Sequence, residues 1–594
     1  MRMNKGIILT VLMFVAHFGI AQKKDKTEKA KDTIIKTEVV EVVTSYAPKV
    51  TDAFKIKKKP VIKLSKNSER KALEYKVQTV PVASKFIPKS GVLKGIDVGD
   101  RERLFDNYFS LGFGNNLTPF VEGYFQNTNA FEYEYGGKIN FISSSDPVAS
   151  TPLSSSYYNA SIDLFLKQEM RFFDWKVGAN AYRNKYNWYG LPTDINFTDL
   201  AINRIEEEQL YQYYNIFGSI FFPNRTTEEV NGSIAYFTDS QDSDEIHADV
   251  DAKFAISLGR FGTNLEDLQL RTSINFVMGG FDRTYADPDQ KINYSFATAG
   301  INPSYALSFG DFDMKIGGKA YYSFDLENSE GKFFAYPDVE ANYPIIKRYA
   351  NIYAGVKGDL TVNSYEGFTS ENPHVSPTLN ITQSSEAFNV FGGFRGILSG
   401  DFNYNTRVSF KKEESRTFFV LNESLSNGTT TATPAGLGFP GFGYGNSFDV
   451  VYDDITTIGF FGELTYDVSR RLNLGLNVEF NTFDVSNLEE AFNLPQVKAD
   501  VFASYKRKKW YAGANLYFVG DRKGAQRSAD TFTVIDLSNY IDLNVNGGYH
   551  FNDLFSVFLR ANNITNSQYQ RFTNFDAQGF QVIGGFIYKF DALF

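Results

Sequence analysis

Between Leu472 and Asn481 the apolar residues Leu472, Leu474, Leu476, Val478 and Phe480 are interleaved with Asn473, Gly475, Asn477, Glu479 and Asn481. A period of two puts the first set on one face of a β-strand and the second on the other. The pattern returns where Ile541, Leu543, Val545 and Tyr549 alternate with Asp542, Asn544, Asn546 and Gly548. It returns again where Ala248, Val250, Ala252 and Phe254 alternate with His247, Asp249, Asp251 and Lys253. Near the C-terminus Phe580, Val582, Phe586, Tyr588 and Phe590 share one face, with Gln581 and Lys589 on the other. From about Arg103 onward the chain repeats one unit, roughly ten alternating residues followed by a turn. About 22 such segments can be counted, the first beginning near Arg103, others near Phe388, Thr456 and Tyr540, and the last near Phe580.

A soluble sandwich also alternates, but it rarely sustains the pattern over a span like residues 103–594 with aromatic pairs at the segment ends. Phe172-Phe173, Tyr157-Tyr158, Phe221-Phe222 and Tyr321-Tyr322 suit the aromatic girdles of a membrane barrel. The predicted fold is all-β: a transmembrane antiparallel β-barrel of about 22 strands, with 18 or 20 as the alternatives. A mean hydropathy of -0.29 fits this reading, because only alternate residues face lipid. No internal stretch approaches the length of apolar sequence that a spanning helix needs, and a closed barrel is the other way to satisfy every backbone polar group in lipid. An even strand number puts both ends of the barrel on the periplasmic side. Short turns such as Phe551-Asn552-Asp553 are then periplasmic, and the long connections Leu191–Glu208, Ser370–Pro377, Ser424–Ser447 and Gln526–Ser538 extracellular. The Ser424–Ser447 segment, rich in Gly, Thr and aromatics, reads as a surface loop or as a lid over a ligand.

The N-terminal residues differ from the rest. Arg2 and Lys5 precede the apolar stretch Ile7 to Phe18, and Gly19-Ile20-Ala21 places small residues before Gln22. This is the pattern of a secretory signal peptide, residues 1–21. Residues 22–94 carry 19 Lys and Arg against 8 Asp and Glu, whereas the net charge of the whole chain is -9. A basic periplasmic arm, residues 22–100, therefore precedes an acidic barrel, residues 101–594. The arm includes the run Lys57-Lys58-Lys59-Pro60, which reads as a solvated linker or as a contact with the acidic barrel mouth.

The stretch Asp542 to Phe590 resembles the end of the barrel domain of TonB-dependent receptors, and Asn562-Asn563-Ile564-Thr565-Asn566 with Tyr569 is similar to their penultimate-strand motif. Asn372-Pro373-His374-Val375-Ser376-Pro377 resembles a stretch of their Bacteroidetes members. The resemblance implies a 22-stranded barrel, in agreement with the count. It also implies that Phe590 and Phe594 belong to the C-terminal signal read by the barrel-assembly machinery. Glu38, Val39, Val40, Glu41, Val42, Val43 and Thr44 resemble the short box that contacts TonB. The family also carries a globular plug ahead of the barrel, and the Lys-rich residues between Thr44 and the first strand lack the plug's Gly-rich strands. A 22-stranded barrel needs a filled lumen. The expected fillers are the arm, with residues 45–98 entering the lumen, inward-folded loops, or another protein.

Catalytic chemistry is sparse. The chain has no Cys and four His, of which His17 lies in the leader while His247, His374 and His550 are scattered. No catalytic triad, phosphate loop or zinc spacing is present, and no enzyme activity or cofactor is expected. The candidate metal ligands are Asp239, Asp242, Asp244, Glu245 and His247, an acidic cluster with oxygen donors for Ca²⁺ but without the spacing of a calcium loop. The acidic balance excludes nucleic acid as a partner. The expected location is the outer membrane, and the expected partners are its lipid and lipopolysaccharide, the assembly machinery, and a surface lipoprotein, TonB or a larger envelope complex. Three functions remain open: a receptor that binds or translocates a solute, a plugless accessory or structural subunit of an assembly or secretion complex, and a porin.

Overall fold

The computed structural model describes residues 103–594, apart from 128–132, 224, 260–265, 434–435, 530 and 592–594. The expected leader, the basic arm with Glu38–Thr44, the 45–98 segment and Phe594 lie outside the described residues.

The wall begins with β1 (Asn107–Gly114), β2 (Thr118–Asn127), β3 (Glu134–Ser144), β4 (Tyr157–Glu169), β5 (Asp174–Asn187), β6 (Glu208–Phe221), β7 (Thr227–Asp239) and β8 (Asp244–Ile256). It continues with β9 (Leu268–Phe281), β10 (Ile292–Phe309), β11 (Phe312–Asp325), β12 (Glu330–Ile346), β13 (Ala350–Thr361), β14 (Ser384–Ser399), β15 (Phe402–Leu421) and β16 (Phe448–Ser469). After β17 (Leu472–Val485), β18 (Val497–Lys506) and β19 (Trp510–Val519), a hairpin of β20 (Arg522–Ser528) and β21 (Thr531–Leu537) is inserted. The wall resumes with β22 (Tyr540–His550) and β23 (Phe555–Asn562), and ends, after the short pair β24 (Gln570–Phe572) and β25 (Phe575–Asp576), with β26 (Gln581–Phe590). Two short helices lie in connections, α1 (Asp199–Ile202) and α2 (Tyr365–Glu371).

Successive wall strands pair antiparallel, β19 passing to β22 and β23 to β26. β26 pairs with β1 from Asn107↔Phe590 to Gly114↔Ile583, so the wall closes as a barrel of 22 strands. The inserted hairpin pairs with the wall by a parallel bridge, Leu421↔Gln526, and by the ion pair of Arg527 with Asp449. The expected fold class and strand number are both found.

The period of two decides which residues face out. Ile216, Ile234, Ile274 and Val408 are more than half exposed on the outer face. Their neighbours on the inner face include Asn215, Asn231, Asp249, Asp251 and Asn275, joined by bonds such as Asn231 Nδ2 to Asp251 Oδ1 at 2.8 Å. An apolar exterior around a polar interior is the pattern of a barrel in lipid. No helix among the described residues is long and apolar enough to cross a membrane.

Connections at the end bearing both barrel termini are short, for instance Gly310-Asp311, Gly400-Asp401 and Arg470-Arg471. Residues 188–207, 362–383, 422–447 and 563–580 lie at the other end. There β15 and β16 run to 20 and 22 residues, far beyond the ~9–11 that a membrane crossing needs. Above a bulge between Glu413 and Arg416, where Ser415 takes φ +51°, this ribbon rises out of the regular wall.

Candidate ligand-binding mouth

A wet lumen needs polar residues, yet the inner face near the long-loop end is apolar. Tyr211 of β6, Phe237 of β7, Val277 and Phe281 of β9, and Tyr294 and Phe296 of β10 are all buried. What covers them is the loops. Tyr365 and Phe368 of α2, then Val375, Leu379 and Ile381, pack against that face, joined by Phe448 and by Phe572 and Phe575 from the last connection. The loops thus fold inward and share one hydrophobic core with the barrel wall.

Folding a loop into a barrel strands its backbone polar groups unless partners are supplied. Glu245, on β8 and 2% exposed, supplies them. Its carboxylate accepts the N–H of Tyr365 at 2.7 Å and of Glu366 at 3.2 Å, the free first-turn donors of α2, and the hydroxyl of Tyr294 at 2.7 Å. Ser364 caps the same helix by accepting Gly367 N–H at 3.0 Å. Asp239 accepts the Tyr365 hydroxyl at 2.8 Å and the N–H groups of Gln241 and Ser243 in the β7–β8 turn. Tyr211 donates to the Pro373 carbonyl at 2.9 Å, and Tyr182 to Glu366 at 2.8 Å. Burial holds the Tyr365 phenol well above its ordinary pKa, so it remains a donor.

The structure therefore gives the candidate metal ligands other surroundings. Asp239 and Glu245 bind the inward loop. His247 pairs with Asn275 at 2.5 Å on the lumen wall, and Asp242 occupies a turn position with φ +60° beside the exposed Asp244. No group of three or more His, Asp or Glu is placed to hold a metal among the described residues. Sequence reading missed Tyr211, Tyr294 and Tyr365, because nothing local links Tyr294 and Tyr365 to carboxylates 49 and 126 residues distant, or Tyr211 to a carbonyl 162 residues distant.

The remaining loops lock onto the first. Val375 bridges to Phe448, with Phe448 N–H donating to His374 O at 3.0 Å. The Asn446 amide, fully buried, bonds the carbonyls of Trp188 at 2.7 Å and Gly441 at 2.9 Å. Gly428, at φ +90°, lets the 422–447 loop meet the 188–207 loop so closely that a Cβ there would collide with Asn196 O. The Ser424–Ser447 segment, read as a surface loop or lid, is packed into the mouth with Phe442, Tyr444 and Ser447 buried.

Neither the known family profiles nor the curated proteins contain a match to this chain. Solved structures do match. The ferripyoverdine receptor of the outer membrane of Pseudomonas aeruginosa, bound to ferripyoverdine, superposes with a TM-score of 0.57 at 13% identity, over 82% of this chain and 72% of that one. The FrpB iron transporter from Neisseria meningitidis gives 0.59 at 10% identity, over 82% of each chain. The siderophore receptor PirA from Acinetobacter baumannii gives 0.59 at 10% identity, over 82% and 80%. The chain shares the 22-stranded barrel fold of these proteins. The resemblance drawn from Asp542 to Phe590 holds at the level of fold, and the protein is integral to the outer membrane.

Among the cavities between the loops of this barrel, two combine aromatic and charged linings. One, of about 340 Å³, is walled by Tyr157, Tyr186, Tyr189, Phe575, His374 and Arg571. His374 stacks on Phe575 with centroids 3.9 Å apart, and burial lowers its pKa from 6.5 to about 3, so the ring is neutral. The other, of about 700 Å³, is lined by Tyr285, Lys291, Asn293, Glu423, Asp449 and Arg527. Arg527 pairs with Asp449 at 2.5 Å, and the Tyr285 hydroxyl is fixed to Glu423 O at 2.8 Å. Aromatic walls with a few oriented polar groups are the usual lining of a small-molecule site.

Proposed function

We propose that the protein is an outer-membrane receptor-transporter of the TonB-dependent type, which takes a solute at its outer mouth and admits it to the barrel by movement of the inward-folded loops. The observation that carries this reading is the loop set held inside the mouth by Glu245 and Asp239, with aromatic and charged cavities between the loops. The solute class proposed is a nutrient or a chelated metal. Iron and siderophore receptors among the similar structures support it. Glu38–Thr44 is proposed to contact TonB, with residues 45–98 acting in the lumen.

The test is uptake. A deletion strain would be compared with wild type for growth on ferric chelates and oligomeric nutrients as limiting sources. A growth defect rescued by the intact chain, but not by one lacking Glu38–Thr44, supports the reading. Full growth on every source overturns it. The composition of the Lys-rich arm favours a second reading, an accessory subunit of an envelope complex. Purification in mild detergent separates the two: TonB or a surface lipoprotein co-purifies under the first, assembly or secretion machinery under the second.

A further inference from the structure

Positive charge at the short-turn end of the barrel is concentrated in one sector. The β16–β17 turn is Arg470-Arg471, and the adjacent β18–β19 turn is Arg507-Lys508-Lys509, preceded by Lys506. All six side chains are exposed. The two turns are neighbours across the wall, tied by Lys506 N–H to Arg471 O at 2.9 Å. Two strand spacings set them roughly 10 Å apart. Cations on the other described turns at this end are fewer, namely Arg171, Arg225 and the pair Lys347-Arg348. Gly310-Asp311 and Gly400-Asp401 are acidic, and Lys347 is paired with Asp311 at 2.7 Å. For Arg470, Arg471, Arg507 and Lys509 no such pair is found among the described residues. The nearest acid in sequence, Asp467, accepts the Asn473 amide at 2.6 Å.

What lies above these cations identifies the partner. The outer face of β16 runs Ile458, Phe460, Tyr466, Val468, all exposed, and the same alternation leads to Arg470. On β18, Val501 and Tyr505 lead in the same way to Arg507. Trp510 is 40% exposed and packs on Tyr505 with centroids 4.8 Å apart. Indole and phenol rings of this kind sit at headgroup level, with hydrocarbon on one side and water on the other. A cation one step beyond them is at the depth of a phosphate. Arg offers a planar fork to phosphate oxygens, and paired guanidinium groups hold a phosphodiester better than water does.

We infer that Arg470, Arg471, Arg507 and Lys509 form a binding site for the headgroup of an anionic phospholipid in the periplasmic leaflet. The site fixes lipid on one side of the barrel only. A periplasmic acidic protein would also be drawn by charge, but it would gain nothing from the continuous apolar columns and the ring girdle directly above.

The test uses the full chain in nanodiscs of phosphatidylethanolamine with cardiolipin, reading the lipid retained after mild extraction by native mass spectrometry. Each cation near an anionic surface is worth about fivefold in affinity. The variant R470Q/R471Q/R507Q/K509Q is therefore expected to lose at least about tenfold in its preference for cardiolipin over phosphatidylethanolamine. A control, K347Q/R348Q, is expected to keep it. Folding is checked by heat-modifiable gel mobility. If the fourfold variant does not fold, R470Q/R507Q is read instead, with a partial loss expected. Equal preference in the folded variant and the wild type overturns the proposal. So does a photo-crosslinker at Lys509 that captures a periplasmic protein while cardiolipin preference is unchanged by the substitutions.

Discussion

The carboxylate of Glu245 belongs to a strand, yet it terminates a helix 120 residues further along the chain. Its two oxygens meet two backbone donors and a phenol, so an amide in its place leaves one donor facing an NH₂ group. A buried donor without a partner costs about 1–3 kcal/mol. Glu245→Gln is expected to loosen the 362–383 loop by that order, read as faster cleavage of the loop by an external protease on whole cells. Cleavage at the wild-type rate would count against the anchoring role. His374 adds a dependence on acid. An unfolded histidine takes its proton near pH 6.5, whereas the packed ring takes it only near about 3. Between those values the released loop binds a proton that the packed loop does not. Packing of the loop is therefore fully favoured above pH 6.5 and weakens as the pH falls toward 3. Protease sensitivity of the loop should rise from pH 7.5 to pH 5 in the wild type. It should stay flat in His374→Phe, which keeps the stacked ring. A rise of equal size in both would assign the effect elsewhere.

Among the elements, the loops rather than the strands fill the outer mouth of the barrel. The 422–447 connection reaches the 188–207 loop through Thr198 N–H to Gly428 O at 2.9 Å and through the Asn446 amide. Removal of residues 429–440 takes away the further contact of Arg204 with Thr431 and the outer part of the loop, while leaving β15 and β16 intact. Single-channel conductance in planar bilayers is expected to increase, and an unchanged conductance would show that the remaining loops suffice to close the mouth. The strands were legible in the sequence because alternation reports directly on which face meets lipid. The starts expected near Thr456 and Phe388 fall at Phe448 and Ser384, and both differences have a local cause. A bulge between Glu386 and Phe388 inserts a residue into β14 and breaks its period of two, whereas the start of β16 lies in the ribbon that rises beyond the bulge of its partner β15 between Glu413 and Arg416. The mouth was not legible. The 362–383 and 422–447 loops have no period, and their order comes from contacts with strands far away in sequence. The acidic cluster near Glu245 stood out in the sequence for its composition, but its partners are phenols and backbone groups that composition does not mark.

For the molecule as a whole, the closed wall makes stability collective. Each strand is held by two neighbours, and no edge is left to pair with another chain. Loss of β26, by truncation after Phe580, would expose β1 and β23 together. The truncated chain is expected to be absent from the outer membrane and to give no heat-modifiable band on gels. Normal insertion would show that β1 and β23 can pair directly. The lumen carries a polar ladder of its own, in which Lys315 meets Asp338 at 2.7 Å and Lys357 meets Glu340 at 2.6 Å. A solute released by the loops would therefore pass from aromatic walls to a charged, hydrated surface.

The seam between β1 and β26 also sets an order of events in the life of the chain. The first strand of the wall to be synthesised has to wait for the last, with Asn107 and Phe590 facing each other across the join. Until β26 has been exported, no partial product can be sealed, and every earlier strand carries apolar side chains that water does not tolerate. Delivery to the membrane must therefore keep the whole wall unpaired in transit, and the final residues to arrive act as the permission to close.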